Sequence, residues 1–441
     1  MTSIQINIPN SKTAVLYLLI ILSFNSRPLA EACSKLGLDP VVIDFFGDED
    51  IRQYTNESYF YSEEHELKDA SHDKFKNWAL KTLEKILKEH QEPLGSYKKP
   101  FILIGSGFDD DVEFWNECSD MAFLLGNDGN TIEKARNFEL IMDICTEKGL
   151  KLRFPRTLKF TLRHDINIHN IALEIMRVLN FPLLIKKTRS GGGFGINFIQ
   201  NEAILKDVLQ EFKFTSAIKQ SKDITFRAQQ YVYGSDCKDI SMLANDGEVI
   251  CVTEQLIGEP RVFPPKKLSY CGNIIPLDTI TDAVLLNLKE FAKMIKDEFC
   301  IKGLYGVDFV MKGTELYFVE INPRIPGSLE PANIALDENL MALHFNSFPA
   351  FDKRVNGITE TTPAKYTSIK CILFAKSRFS MPKLKDLKIS GKLKDITPPG
   401  TILKAGMPVL TYLNKQQAKN AQQIKELACR EITKIYEEFR T

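Results

Sequence analysis

The 441-residue sequence has no excess of either charge. Its 57 Lys and Arg stand against 57 Asp and Glu, so no global field argues for a nucleic-acid or anionic-membrane partner. Nine cysteines are scattered without a single Cys-x-x-Cys pair, which argues against a disulfide framework and fits reduced thiols in the cytoplasm. Six dispersed histidines argue against a zinc centre. Long apolar runs are also lacking. Ala14–Phe24, AVLYLLIILSF, is too short to span a bilayer and is followed by no clean cleavage site, so it reads as a buried parallel strand. Two nucleotide fingerprints are missing as well. The turn after that run is SFNSR rather than GxGxxG, and no Walker A sequence occurs.

What remains is the make-up of an ordinary globular protein, 44% hydrophobic and 26% charged, long enough for two or three domains. AVLYLLIILSF, RPLAEACSKLG and DPVVIDFFGDED follow one another as strand, helix and strand, a βαβ opening with Pro28 and Gly37 as its punctuation. The acids of Asp44–Asp50 are expected to be solvated, and Glu49–His72 to be irregular. Asp73–His90 has helical spacing; Lys99–Gly105 and Met121–Gly126 read as further strands. Asp109–Asp111 is expected to start a helix, where acids meet the dipole favourably. Asn127–Lys148 reads as a turn and one helix.

Asn180–Gln200, NFPLLIKKTRSGGGFGINFIQ, is strand, Gly-rich loop, strand. Gly191, Gly192 and Gly193 bring bare N–H groups close to an anion, although a flexible hairpin tip has the same composition. Lys186 and Lys187 point to opposite faces of an extended strand, so only one reaches a common site. Arg227–Asp246 contains a turn into a strand, preceded by Gln230-Tyr231-Val232.

Ile301–Glu330, IKGLYGVDFVMKGTELYFVEINPRIPGSLE, carries the densest chemistry. Two β-rich runs flank Lys312-Gly313-Thr314, the signature of a hairpin. A three-residue loop pairing Met311 with Glu315 puts Asp308 on the face of Phe318 and Glu320, with Asn322 and Arg324 following at strand spacing. Two carboxylates and an amide oxygen on apolar strands suit Mg²⁺ completed by phosphate oxygens, and a guanidinium beyond suits phosphate. Solvent-facing strand positions would account for the same spacing.

DFV…YFVEINPR resembles the metal-binding segment of the ATP-grasp superfamily. FNSRPLAEACSKLG…VIDFFGDED and DIxxPGTxxxxGxPVLT resemble its carboligase-like branch, related to biotin carboxylase and carbamoyl-phosphate synthase. The resemblance implies an α/β and α+β architecture in four parts. These are a Rossmann-like domain (1–126), an ATP-grasp N-lobe with the Gly-rich loop (127–228), a C-lobe with the metal site (229–350) and a C-terminal cap (351–441). It implies that Asp308, Glu320 and Asn322 hold Mg²⁺ (or Mn²⁺), and that Arg324 and Lys186 offset phosphate charge during catalysis. Gly191–Gly193 would cover the phosphates, and Gln230, Tyr231 and Val232 would form the adenine hinge, with Gln where Glu is frequent. A cation early in the 127–148 helix would touch the nucleotide phosphates; Lys134 and Arg136 both fit. The implied activity is ATP-dependent ligation of a carboxylic acid to an amine through an acyl phosphate. A bicarbonate-using carboxylase and a non-catalytic ATP-binding regulator are the alternatives. The implied partners are small molecules rather than nucleic acid or membrane, and a homodimer is compatible with this reading.

Overall fold

A computed structural model describes residues 18–65, 71–90, 100–109, 111–162, 167–187, 195–218, 224–351, 363–384, 389–417 and 420–439. The first strands are β1 (Leu19–Ser23), β2 (Val41–Asp44), β3 (Glu57–Phe60), β4 (Phe101–Ile104) and β5 (Phe123–Leu124). They form one parallel sheet in the order β3-β2-β1-β4-β5. The unbroken apolar run of β1 has a direct cause, because both faces of the sheet are covered. Leu19 and Ile21 join a core with the helix Arg27–Lys35, while Ile20 and Leu22 face the helices His72–Glu89 and Val112–Met121. Strand order reverses between β1 and β4, so a crevice opens at their carboxyl ends, the usual place for a ligand in such sheets.

Two expectations for this domain need correction. Glu57–Phe60 is not irregular; it is an edge strand paired in parallel with β2. The acids of 44–50 are not a solvated set either, since Asp44, Asp48 and Asp50 are all buried. Asp44 accepts backbone N–H groups from Ser26, Phe46 and Gly47 at 2.6–2.8 Å. Asp50 accepts those of Asp395 and Ile396, far along the chain.

The next strands, β6 (Thr157–Leu162), β7 (Leu183–Lys187), β8 (Ile196–Ile199) and β9 (Ile224–Gln230), form an antiparallel sheet ordered β6-β9-β7-β8. The helices Ile168–Val178 and Glu202–Ile218 back it, burying Ile171, Ile175, Leu205 and Leu209. Then come β10 (Cys237–Asn245), β11 (Glu248–Ile257), β12 (Tyr270–Ile275), β13 (Leu304–Lys312), β14 (Glu315–Asn322), β15 (Thr367–Phe374), β16 (Phe379–Ser380), β17 (Lys392–Lys394), β18 (Ile402–Leu403) and β19 (Pro408–Gln416). Eight of these make one sheet, β14-β13-β10-β11-β12-β15-β19-β17, so the C-terminal strands continue the sheet that carries the 301–330 hairpin. The helix Asp282–Phe299 packs Leu288, Phe291 and Ile295 beneath that hairpin.

The single helix expected over 127–148 is two: Gly129–Ala135 and Phe138–Glu147. Asn137 divides them, its side chain accepting the N–H of Leu140 at 3.1 Å as the second helix's N-cap. Arg136 is thereby left at the end of the first helix.

Candidate active site

The hairpin reaches the expected face by an unexpected route. Its turn has two residues, with Lys312 opposite Glu315 and Phe309 opposite Phe318. Continued unchanged, that register would set Val319 against Asp308 and turn Glu320 away. A bulge between Asp308 and Phe309 restores the alignment, so Asp308 stands directly opposite Glu320 and Gly306 opposite Asn322. Phe318, expected beside Asp308, instead joins Phe309, Met311 and Ile321 in the core.

Asp308 is held on both oxygens. Gln255 of β11 donates to Oδ1 at 3.0 Å and Asn322 to Oδ2 at 2.9 Å. Gln255 thus orients an acid. Burial, with Glu320 alongside, pushes the Asp308 carboxyl up to about 7 against hydrogen bonds from Ser241 and Asn322 and the Arg324 charge. Two acids that repel each other, fixed by amides and partly desolvated, are a donor set that a divalent cation would satisfy. Among the described residues no group of three or more His, Cys, Asp and Glu could hold a metal without help. Two carboxylates and an amide fit a hard ion that draws further oxygens from phosphate and water.

Cations converge from three directions. Arg136, at its helix end, donates to Glu320 Oε2 at 2.9 Å and to the carbonyl of Ile321 at 3.3 Å, whereas Lys134 is exposed. Of the two candidates, Arg136 is the one at the acids. Lys186 of β7 is registered against Arg227 of β9, which in turn is registered against Lys159 of β6, a basic row across the sheet. Glu139 holds Arg227 in a fork, at 3.0 and 2.8 Å. Burial pushes the Lys186 amine below its usual value; Arg227 and Arg136 act in the same sense, and Glu320 and Asp308 oppose it. Arg324 reaches the N-terminal domain, pairing with Asp109.

At the other end of the cleft the chain leaves β9 at Gln230, whose N–H meets the carbonyl of Arg156 at 2.8 Å. Tyr231 and Val232 follow outside regular structure. The Tyr231 ring meets Phe198 edge-on at 5.1 Å and stacks with Tyr233 at 5.5 Å, an aromatic wall for a flat base. Gly191, Gly192 and Gly193 lie outside the described residues.

Three residues had escaped the sequence reading. Asp111 does cap a helix, accepting from Phe114 N at 3.0 Å, but Asp109 is buried and belongs to Arg324. Burial would raise the Asp109 carboxyl, yet the Arg324 and Arg136 charges outweigh it and hold its pKa below the ordinary value. Glu330 is buried between Arg27 and Lys370, with Arg27 Nη2 at 3.0 Å and Lys370 Nζ at 3.1 Å. Arg27 is itself wholly buried and also reaches Asp395 at 2.8 Å.

Residues 151–328 match the ATP-grasp domain family. Over 421 residues the chain is 24% identical to an uncharacterized protein of Methanocaldococcus jannaschii, covering 95% of this chain and 91% of that one. It is 28% identical to the D-alanine–D-alanine ligase of Helicobacter pylori over 180 residues, which is 40% of this chain and 48% of that enzyme. In fold it is similar to the biotin carboxylase domain of Hydrogenobacter thermophilus 2-oxoglutarate carboxylase, solved with MgADP and bicarbonate. That likeness has a TM-score of 0.62 at 15% identity and covers 90% of this chain and 86% of the other.

Proposed function

We propose that this chain, which carries an ATP-grasp domain within an ATP-grasp fold, is an ADP-forming ligase that joins a carboxylic acid to an amine. The observation that carries the reading is the alignment of Asp308, Glu320 and Asn322 on one sheet face, restored by a bulge and met by Arg136. A structural hairpin has no need to set two carboxylates opposite each other.

In the proposed reaction an oxygen of the substrate carboxylate attacks the γ-phosphorus of ATP, and the bond to the β-phosphate oxygen breaks to release ADP. The amine nitrogen then attacks the acyl carbon and phosphate departs with the bonding pair. Such transfers need charge neutralisation and alignment more than covalent help. Lys186, Arg136 and Arg324 supply fixed positive charge to phosphate oxygens, and the backbone of Tyr231 and Val232 reads the adenine edge. Asp308, Glu320 and Asn322 would hold Mg²⁺, which when bound supplies charge to the transferring phosphoryl group. The Arg324–Asp109 pair sets this chemistry against the crevice at the ends of β1 and β4, where the acid and amine would bind.

The test is Mg²⁺-dependent ADP release from ATP across pooled carboxylic acids and amines, with Glu320→Ala as control. Stimulation by one acid–amine pair, lost in the variant, supports the ligase; ATP binding without stimulated turnover refutes it. The likeness to a fold solved with bicarbonate favours a second reading, a carboxylase, which predicts that ADP release requires bicarbonate.

A further inference from the structure

A cavity of about 300 Å³ lies away from the cleft, enclosed by the turn 260–263, the segment after β15 and the terminal helix Ala421–Glu438. That volume suits a small organic ligand. Its walls are aromatic: Phe263 meets Tyr436 edge-on at 5.0 Å, and Phe379 stacks on Phe439 at 5.5 Å. Phe263 has φ 53°, a left-handed backbone that a bulky side chain adopts only when its surroundings enforce it. The Tyr436 hydroxyl lies 2.9 Å from the carbonyls of both Val262 and Phe374, fastening the turn to the end of β15.

The charges around the cavity divide into used and unused. Arg261 is taken by Glu259, Nε to Oε1 at 2.5 Å. Lys376 and Glu437 also line the cavity, both exposed, and neither has an ion-pair partner among the described residues. Lys376 Nζ sits 5.0 Å from the Phe263 ring centre, so this cation borders the aromatic wall directly. A free cation and a free carboxylate at the rim of an aromatic cavity match a ligand with the reverse charges at one end and an apolar body. We propose that this cavity binds an α-amino acid with an apolar side chain, its carboxylate on Lys376, its ammonium on Glu437 and its side chain against the rings.

The position also gives such a ligand a route to the nucleotide. Arg261 and Phe263 belong to the connection between β11 and β12. Lys267 of the same connection lies 3.8 Å over the Phe198 ring, which in turn contacts Tyr231 of the hinge. A ligand that orders this connection changes ATP affinity, and ATP changes the ligand's affinity by the same factor.

Isothermal titration of the full chain with L-phenylalanine tests the site without assuming any catalytic activity. Binding is expected to weaken about tenfold in Lys376→Gln and in Glu437→Gln, while each variant binds ATP normally when no amino acid is present. Phenylacetate and phenethylamine, each lacking one charge, are expected to bind more weakly than L-phenylalanine. Absence of binding at millimolar L-phenylalanine or L-leucine overturns the proposal. So does binding that both variants retain, which would place the amino acid in the ATP-grasp cleft. An ATP Kd unaltered by saturating L-phenylalanine overturns the coupling.

Discussion

Arg324, just beyond β14, and Asp109, in the loop after β4, form a buried ion pair across two domains. Nε stands 2.7 Å from Oδ1 and Nη2 stands 3.1 Å from Oδ2. A guanidinium so held has a fixed direction before any phosphate arrives, which lowers the ordering cost of binding. Removing one partner leaves the other charge buried and unpaired. Asp109→Ala is therefore expected to destabilise the protein by about 3–5 kcal/mol, measured by urea unfolding. Asp109→Leu combined with Arg324→Met is expected to recover much of that stability without restoring ADP release. Recovery of both would show that Arg324 is only a strut.

Glu320 presents a different balance. It is partly exposed, and its described partner is Arg136. Glu320→Ala is expected to lower ADP release by about a hundredfold or more while leaving the thermal midpoint within a few degrees of the parent. Retained turnover, or a collapsed fold, would count against the site.

Lys134 lies in the last turn of the helix Gly129–Ala135 and is exposed, whereas Arg136 caps that helix beside Glu320. Arg136→Ala is expected to raise KM for ATP about tenfold and to lower kcat, as loss of a phosphate-facing charge should. Lys134→Ala, altering an exposed side chain, is expected to leave both unchanged. Steady-state kinetics on the two variants decides between them, and the reverse pattern would move the phosphate contact to Lys134.

These cases also mark what could be read in the sequence. The β1 run was legible because burial on both faces leaves nothing but apolar residues; strand alternation said only that one of Lys186 and Lys187 reaches a common site, and the family resemblance picked Lys186. The hairpin was legible in kind but not in register. A two-residue turn and a bulge each shift it by one residue in the same sense, so together they displace the pairing by two, which keeps Asp308 and Glu320 on one face, and nothing in the spacing betrays either. Asn137 did carry a signal, an N-cap residue before an apolar run, and reading it would have placed the break between the two helices. The buried acids gave none. Glu330 and Asp395 find Arg27 across 303 and 368 residues, and a charge whose partner is that distant looks like any surface charge.

His344 supplies a pH dependence free of the proposed metal site. It is buried, accepting the N–H of Leu304 on Nδ1 at 3.0 Å and donating from Nε2 to the carbonyl of Leu125 at 3.1 Å. One ring thus joins the N-terminal domain to the hairpin, and only the neutral imidazole can make both bonds. Burial pushes its pKa down from 6.5 to about 4. The unfolded chain therefore takes up this proton first as pH falls. The stability contributed by the neutral ring is complete above about pH 6.5 and is lost progressively as pH drops toward 4, amounting to roughly 3 kcal/mol. His344→Gln keeps an acceptor and a donor but cannot titrate. The difference in unfolding free energy between parent and variant, followed by urea titration from pH 7.5 to 4.5, is expected to shift in the variant's favour as the solution becomes more acidic. A difference that stays constant across that range would mean that His344 is protonated equally in both states, and the two backbone bonds could not both be made as described.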